Sequence, residues 1–434
     1  MTNKLIHHIL VGLVVISVCS AAYGETVTPA LVSAPPALDR IITEGITNNQ
    51  SIQGLEAEVQ ALKERIESAG ALPDPKIGVA VLNMPTDSFR FDEEPMTQKQ
   101  IAVEQTVPWF SKLDLKSETV AHNVRLKAAE LSSARLSLAR DIAEAYYEIG
   151  YVAQSQEINA KLTEMVRRIR RDAESSYAVG MGLQQNIFQA DVELSQLEDE
   201  AIMLQNQRRT LEDRVNALLN RETYQPVEPP KNLPAPDFEL NLNRLKQSAL
   251  SINPNLEGLK AVAERARVEI ELAEKAYYPD FNFRLAYGQR DEDFSGRDLP
   301  DFFSAAVMMD VPLWHRTKQS KEVAAAGHQL RSAENRYSDL KRRLPYQITT
   351  LASEMEDTRQ RYQLYINKLI PQAEQWARSA LDAYEVGKVP FDTMIDARMR
   401  LLRYERDASR LKFNIYQKRA ALEALVGGPL PVEE

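Results

Sequence analysis

The chain has 434 residues, a formal net charge of −9 and one cysteine, Cys19. The acidic balance argues against a nucleic-acid partner, and a single cysteine excludes an internal disulfide. The histidines (His7, His8, His122, His315 and His328) lack ligand spacing to one another or to Cys19, and no Gly-rich phosphate loop or Ser/His/Asp set is present, so neither an enzyme, a cofactor nor a resident metal is expected.

The first 24 residues read as a secretory signal peptide: Lys4 in a short polar start, an apolar run over 9–18, and Ala22-Tyr23-Gly24 as a small-x-small cleavage site. Cys19 lies inside this leader, behind Val18 where lipidation needs a small residue. No later run reaches the roughly 18 apolar residues of a spanning helix. The exported chain is therefore expected either to stay soluble in the periplasm or to enter a membrane as a β-barrel.

After an extended lead with Pro29, Pro35 and Pro36, a helical pattern covers residues 37–69, interrupted near Asn48-Asn49. Leu72-Pro73-Asp74-Pro75 ends it. Ile77, Val79 and Val81 then alternate with Lys76, Gly78 and Ala80, a two-residue period that predicts a strand with one apolar face. A polar connection over 85–97 leads to a strand over 100–107, with Ile101, Val103 and Val107 outward. That strand runs through Pro108-Trp109-Phe110 into a helical pattern reaching about Ser176.

From Val120 the apolar positions fall at Val124, Ala128, Leu131, Ala134, Leu138, Ile142, Ala145, Ile149 and Val152. This is helix periodicity close to a coiled-coil seam. Residues 111–176 contain no Pro and one Gly, Gly150, so an unbroken helix would be roughly 100 Å long. No compact domain needs such a rod. A turn at 177–183 holds Gly180 and Gly182, and a second helical pattern covers 183–219. Segments 37–70 and 183–219 together match the rod in length and are expected to stack end to end beside it. Residues 224–237, with Pro226, Pro229, Pro230, Pro234 and Pro236, form a linker.

The pattern then repeats. Val107-Pro108-Trp109-Phe110 recurs as Val311-Pro312-Leu313-Trp314, and Gly54-Leu55-x-Ala57 as Gly258-Leu259-x-Ala261, both at a shift of 204. Tyr177-x-Val179-Gly180 recurs as Tyr384-x-Val386-Gly387 at a shift of 207. The chain therefore divides into a leader (1–24), a first repeat (25–220 with a β-hairpin at about 76–107), a linker (221–240) and a second repeat (241–434). The second repeat carries a β-hairpin at about 280–311 and a turn at 384–390. Phe281, Phe283, Leu285 and Tyr287 give its hairpin an aromatic outward face. Pro345 and Pro371 in its long helical region predict a bend or break there.

The strands have about the length needed to cross a bilayer. Four strands are too few to close a barrel, so a membrane-spanning chain must oligomerise: two copies would give eight strands, three would give twelve. Soluble hairpins packed on helices, in a secreted coiled-coil structural protein, are the alternative.

The duplication, the strand–Pro–aromatic–helix passage and the Tyr-x-Val-Gly turns together resemble the TolC family of outer-membrane efflux channels over nearly the whole mature chain. Leu72-Pro73-Asp74-Pro75 and residues 105–113 are most similar to its heavy-metal, CusC- and CzcC-like branch, which usually has Gly where Ser111 stands. The resemblance implies a mainly α fold with a small β part: long α-helical hairpins and two β-hairpins per chain. It implies a homotrimer forming a 12-stranded outer-membrane β-barrel, set in outer-membrane lipid and continued by a periplasmic α-barrel. It further implies a passive conduit working with a periplasmic adaptor (membrane fusion) protein and an inner-membrane proton-driven pump. Heavy-metal cations are the expected cargo, with multidrug efflux or type I secretion as the alternatives within the family. The adaptor would dock at Val179-Gly180 and Val386-Gly387. A tunnel constriction would involve Tyr384, Thr393 and Asp396, where Thr393 and Val389 stand in place of the family's second Asp and its Arg; Lys388 and Asp392 are neighbouring substitutes. His122, His315 and His328 are expected at the surface.

Overall fold

The computed structural model describes residues 34–231, 233–236 and 240–430; the leader and Cys19 lie outside them. The chain is mainly helical with one small sheet. In order it forms α1 (Pro36–Asn48), α2 (Gln50–Gly70), β1 (Lys76–Leu82), β2 (Gln98–Val107), α3 (Lys112–Ala178) and α4 (Gln184–Leu218). The second set follows as α5 (Leu242–Ile252), α6 (Pro254–Lys275), β3 (Phe281–Gln289), β4 (Phe302–Met309), α7 (Gln319–Leu364), α8 (Ile370–Glu385) and α9 (Phe391–Val426).

Helix α3 is the spine, flanked by α1, α2, α4, α6 and α9. Its periodic seam is what the bundle buries: Leu131, Leu138, Ile142, Ala145, Ile149 and Val152 are all within 9% of full burial. Burying such side chains contributes about 1.5–3 kcal/mol each, which stabilises a rod that helix propensity alone would not hold.

One residue type joins the shorter helices end to end. Asn49 caps α2 by accepting from the Ser51 and Ile52 amides (3.0 and 3.3 Å), while its Nδ2 donates to the Leu218 carbonyl at the end of α4 (3.1 Å). Asn253 does the same in the second repeat, accepting from the Leu256 amide (3.1 Å) and donating to the Leu425 carbonyl in α9 (2.9 Å). Each side chain thus satisfies orphan groups of two helix termini at once. The ion pair of Arg221 with Glu44 reinforces the first junction, and the hydrogen bond from Arg221 holds the Glu44 carboxyl below its ordinary pKa.

The four strands form one antiparallel sheet in the order β1-β2-β3-β4, so the two hairpins meet through β2 and β3, with Val103 opposite Leu285 and Val107 opposite Phe281. Strand and rod are locked where they meet. Trp109 stacks on Tyr278 (5.0 Å) and Phe281 (5.8 Å), and the Asp280 carboxylate accepts from the Trp109 amide (2.8 Å) and from Lys112 Nζ (2.7 Å). Ser111, just before α3, adopts φ = 68°, a left-handed conformation costing a residue with a Cβ about 1–2 kcal/mol. Glycine would adopt this conformation without that cost. Ser111→Gly is expected to raise the thermal unfolding midpoint; a lower midpoint would mean that the Ser111 side chain contributes more than its backbone costs.

Two sequence expectations are corrected. Pro345 does not break the second long helix, lying inside a continuous α7. Near Pro371 the helix widens into a π turn over Tyr365–Leu369 that leads directly into α8. The wider turn accommodates the hydrogen bond that Pro371 cannot donate, so the regular α-helix is interrupted there, as the sequence predicts. His122, expected at the surface, is 7% exposed. It is packed between α3 and α6 with Glu264 3.6 Å from Nδ1 and Glu118 3.8 Å from Nε2. The charge-rich sequence around it hid a position that faces α6.

Candidate functional site

Among the described residues, two regions expose apolar side chains without a partner: the sheet and the far tip of the helical hairpins. On the sheet, side chains alternate. Ile77, Val79, Val81, Ile101, Val103, Phe283, Leu285, Tyr287, Phe303 and Val307 lie on one face and are all exposed, reaching 82% at Val79 and 72% at Ile77 and Phe303. The opposite face carries Lys76, Gly78, Gln100, Ala102, Glu104, Asn282, Arg284, Ala286 and Ser304. Strands β1 and β4 are the sheet's two edges. One apolar exposed face, one more polar face and two open edges are unstable in water as they stand. No described helix is long and apolar enough to cross a membrane.

At the opposite end, α3 turns into α4 and α8 into α9 by the same device. Gly180 (φ 72°) and Gly387 (φ 71°) occupy the left-handed position after each helix. In the first turn the Gly180 amide bonds to the Tyr177 carbonyl (3.0 Å) and the Met181 amide to the Ser176 carbonyl (2.9 Å). In the second, Gly387 bonds to Tyr384 (2.9 Å) and Lys388 to Ala383 (2.8 Å). This paired closure satisfies the terminal carbonyls and needs glycine at its left-handed position. It pushes Val179 (69% exposed) and Val386 (66%) outward as matching apolar points, with Met181 and Leu183 beside the first.

Behind the turns, Ile158, Leu162 and Val166 of α3, Leu197 of α4 and Phe391, Met394 and Ile395 of α9 make one buried cluster that fuses the two hairpins. The three predicted constriction residues are divided by that cluster. Tyr384 is half-buried against it, its ring edge-on to Phe391 at 5.8 Å. Thr393 is half-buried, while Asp396 is exposed on α9. Among the described residues no hydrogen bond joins the three. Val389 is half-buried and Lys388 exposed; the Asp392 carboxylate, in the first turn of α9, accepts from the Thr393 amide (2.8 Å).

Sequence reasoning missed Arg400 and Arg403, exposed on the same side of α9 as Asp396; counting helical turns onward from Asp396 would have found both. Deeper in the wall, burial raises the Glu405 pKa and lowers that of Lys412. Among the described residues no group of His, Cys, Asp and Glu is arranged to hold a metal ion.

The sequence profile of a family described as outer membrane efflux protein matches residues 41–221 and 245–428. Among solved structures the chain is similar to the outer-membrane channel OprN at 14% identity, covering 91% of this chain and 90% of that one with a TM-score of 0.75. It is similar to CusC at 12% identity, covering 93% and 97% with a TM-score of 0.76. It is also similar to the outer membrane protein VceC from Vibrio cholerae, at 18% identity, 91% and 97% coverage and a TM-score of 0.74. At these identities the structural likeness is one of fold. Comparison with curated proteins finds no match.

Proposed function

Because the chain belongs to the outer membrane efflux protein family, we propose that it is the outer-membrane channel of a tripartite efflux system, a passive conduit exporting heavy-metal cations. A periplasmic adaptor and an inner-membrane proton-driven pump would deliver the cargo. The family is one of channels, not of enzymes. The sheet carries the reading: an exposed apolar face with two free edges is a barrel wall waiting for its neighbours. Each backbone group left unpaired in hydrocarbon costs several kcal/mol, so a spanning sheet must close. Strand β4 of one copy and β1 of the next have the antiparallel sense that continues the sheet, and three copies close a twelve-stranded barrel.

The remaining assignments follow from that assembly. Residues 25–220 and 241–434 act as two repeats joined by 221–240 behind a cleaved leader. Val179-Gly180 and Val386-Gly387 present six apolar points per trimer to the adaptor. Asp396, with Tyr384 and Thr393 half-buried in the wall behind it, narrows the tunnel near the tip. The heavy-metal branch rests on Leu72-Pro73-Asp74-Pro75 and on the motif over 105–113, now including the left-handed Ser111.

Membrane fractionation tests the reading. The expected result is a heat-modifiable oligomer in the outer-membrane fraction, released by detergent and not by salt. A protein washed off by salt would favour a periplasmic coiled-coil stalk.

A further inference from the structure

Helix α9 has one solvent-exposed face near the tip, and its composition is ordered. The exposed residues there are Asp392, Asp396, Arg400, Arg403 and Asp407, spaced four, four, three and four apart, which places them on a single helical stripe. The first two are acidic and the next two basic, while the fifth, Asp407, lies against Tyr365 of the π turn. The midpoints of these two pairs lie about 11 Å apart along the axis at 1.5 Å per residue.

Several other charges on α9 are engaged with neighbouring helices. Arg406 pairs with Glu200, Arg410 with Glu148 (2.5 Å) and Lys418 with Glu354 (2.7 Å), each bridging to another helix. Among the described residues Asp396, Arg400 and Arg403 make no ion pair. Asp396 and Arg400 sit at the i, i+4 spacing that favours a pair on a helix. Yet the Arg400 guanidinium lies instead near the Trp376 ring of α8, 5.6 Å from its centre. Two tiers of opposite, unneutralised charge are thus held apart along one face.

We infer that this face is a two-tier charge junction lining the tunnel. Asp392 and Asp396 form an acidic tier at the tip, Arg400 and Arg403 a basic tier deeper in, and together they make cation current larger from the tip toward the sheet than in reverse. The inference rests on the channel reading above, in which three copies of α9 surround one axis and each tier becomes a ring. The acidic tier gathers cations and the basic tier anions. A field that drives cations inward from the tip drives both populations toward the boundary between tiers, where they accumulate and carry current. The opposite field empties that boundary. An acidic ring alone attracts cations; the added Arg tier gives the conduit a direction.

The test uses the full-length protein in a planar bilayer with KCl, inserted from one side so that the tip orientation is known. At about 0.1 M KCl, where the screening length is about 10 Å, currents at equal and opposite voltages should differ, and the asymmetry should vanish at 1 M, where that length is about 3 Å. This comparison needs no substitution and so survives any variant that fails to assemble. R400Q/R403Q should lose the asymmetry and shift the reversal potential in a KCl gradient toward cations. D392N/D396N should lose it and shift toward anions, and R400K/R403K should keep it. Channels with symmetric wild-type currents at low salt, or both neutralised variants shifting in the same direction, overturn the junction and leave the channel standing. Absence of any conductance overturns the channel reading itself, and the junction with it.

Discussion

Replacing Gly150 with valine is expected to be among the most damaging single substitutions in the helical wall, lowering stability by about 3 kcal/mol. Gly150 lies mid-way along α3, where α9 and the inter-repeat linker press against it. A Cβ at this position would come 2.4 Å from Phe413 Cε1 and 2.5 Å from Pro230 Cγ, distances that a close-packed interior cannot supply without moving the helices. Phe413 is 4% exposed and has no free space to turn into. The linker is also anchored beside this crossing, with Lys412 and Tyr416 donating to the Leu233 and Pro234 carbonyls (2.7 and 2.9 Å). In an open helix, removing a glycine would gain up to about 1 kcal/mol; here the clash exceeds that gain. Thermal unfolding of the detergent-extracted protein measures the effect, and an unchanged midpoint in Gly150→Val would show that α3 and α9 do not cross this closely.

The second large effect is expected at the paired asparagines. Asn49→Ala and Asn253→Ala each remove a helix cap, worth about 0.5–2 kcal/mol. Each also strands a carbonyl at the end of the returning helix, a further cost of about 1–3 kcal/mol where the group is buried. Asn253 is the more buried, at 4% exposure, so its loss should be larger. The two sites share no hydrogen-bond partner, so the double variant should lose close to the sum of the single losses. Asn→Asp keeps the cap but removes the donor to Leu218 or Leu425, and should fall between wild type and alanine. If Asp and Ala variants melt together, the bridge to the returning helix is the whole contribution; if Asp matches wild type, the bridge contributes nothing.

Periodic features were legible in the sequence because burial repeats with the backbone. The α3 seam shows at 3.6 residues and the hairpin faces at two, and the shifts of 204 and 207 exposed the duplication before any coordinates. Features that depend on one contact between distant segments were not legible. Nothing local announces that Asn49 reaches Leu218, since its cap would look the same without the bridge; only the recurrence of Asn at 253 hints at it. The pairing of β2 with β3 joins strands about 180 residues apart and follows from closure of the sheet, not from either strand's pattern. The interruption near Pro371 was readable because the proline removes a hydrogen bond, whereas its form, a π turn over Tyr365–Leu369, was not. His122 was assigned to the surface because it lacks ligand spacing to other His or to Cys, and α6, which covers it, could not be placed from that spacing. At the tip, both Tyr-x-Val-Gly turns were readable since the left-handed position favours glycine. The opposed tiers on α9 needed the burial pattern to separate unpaired charges from those engaged with other helices.

The measurement that tests export most directly is the susceptibility of a strain lacking this gene to Cu, Ag, Zn, Co and Cd salts beside dyes, detergents and antibiotics. The account predicts selective sensitivity to one or more metal salts, reversed when the gene is returned. Unchanged tolerance across the whole panel would contradict an efflux conduit, and sensitivity confined to the organic compounds would keep the channel while contradicting its heavy-metal cargo.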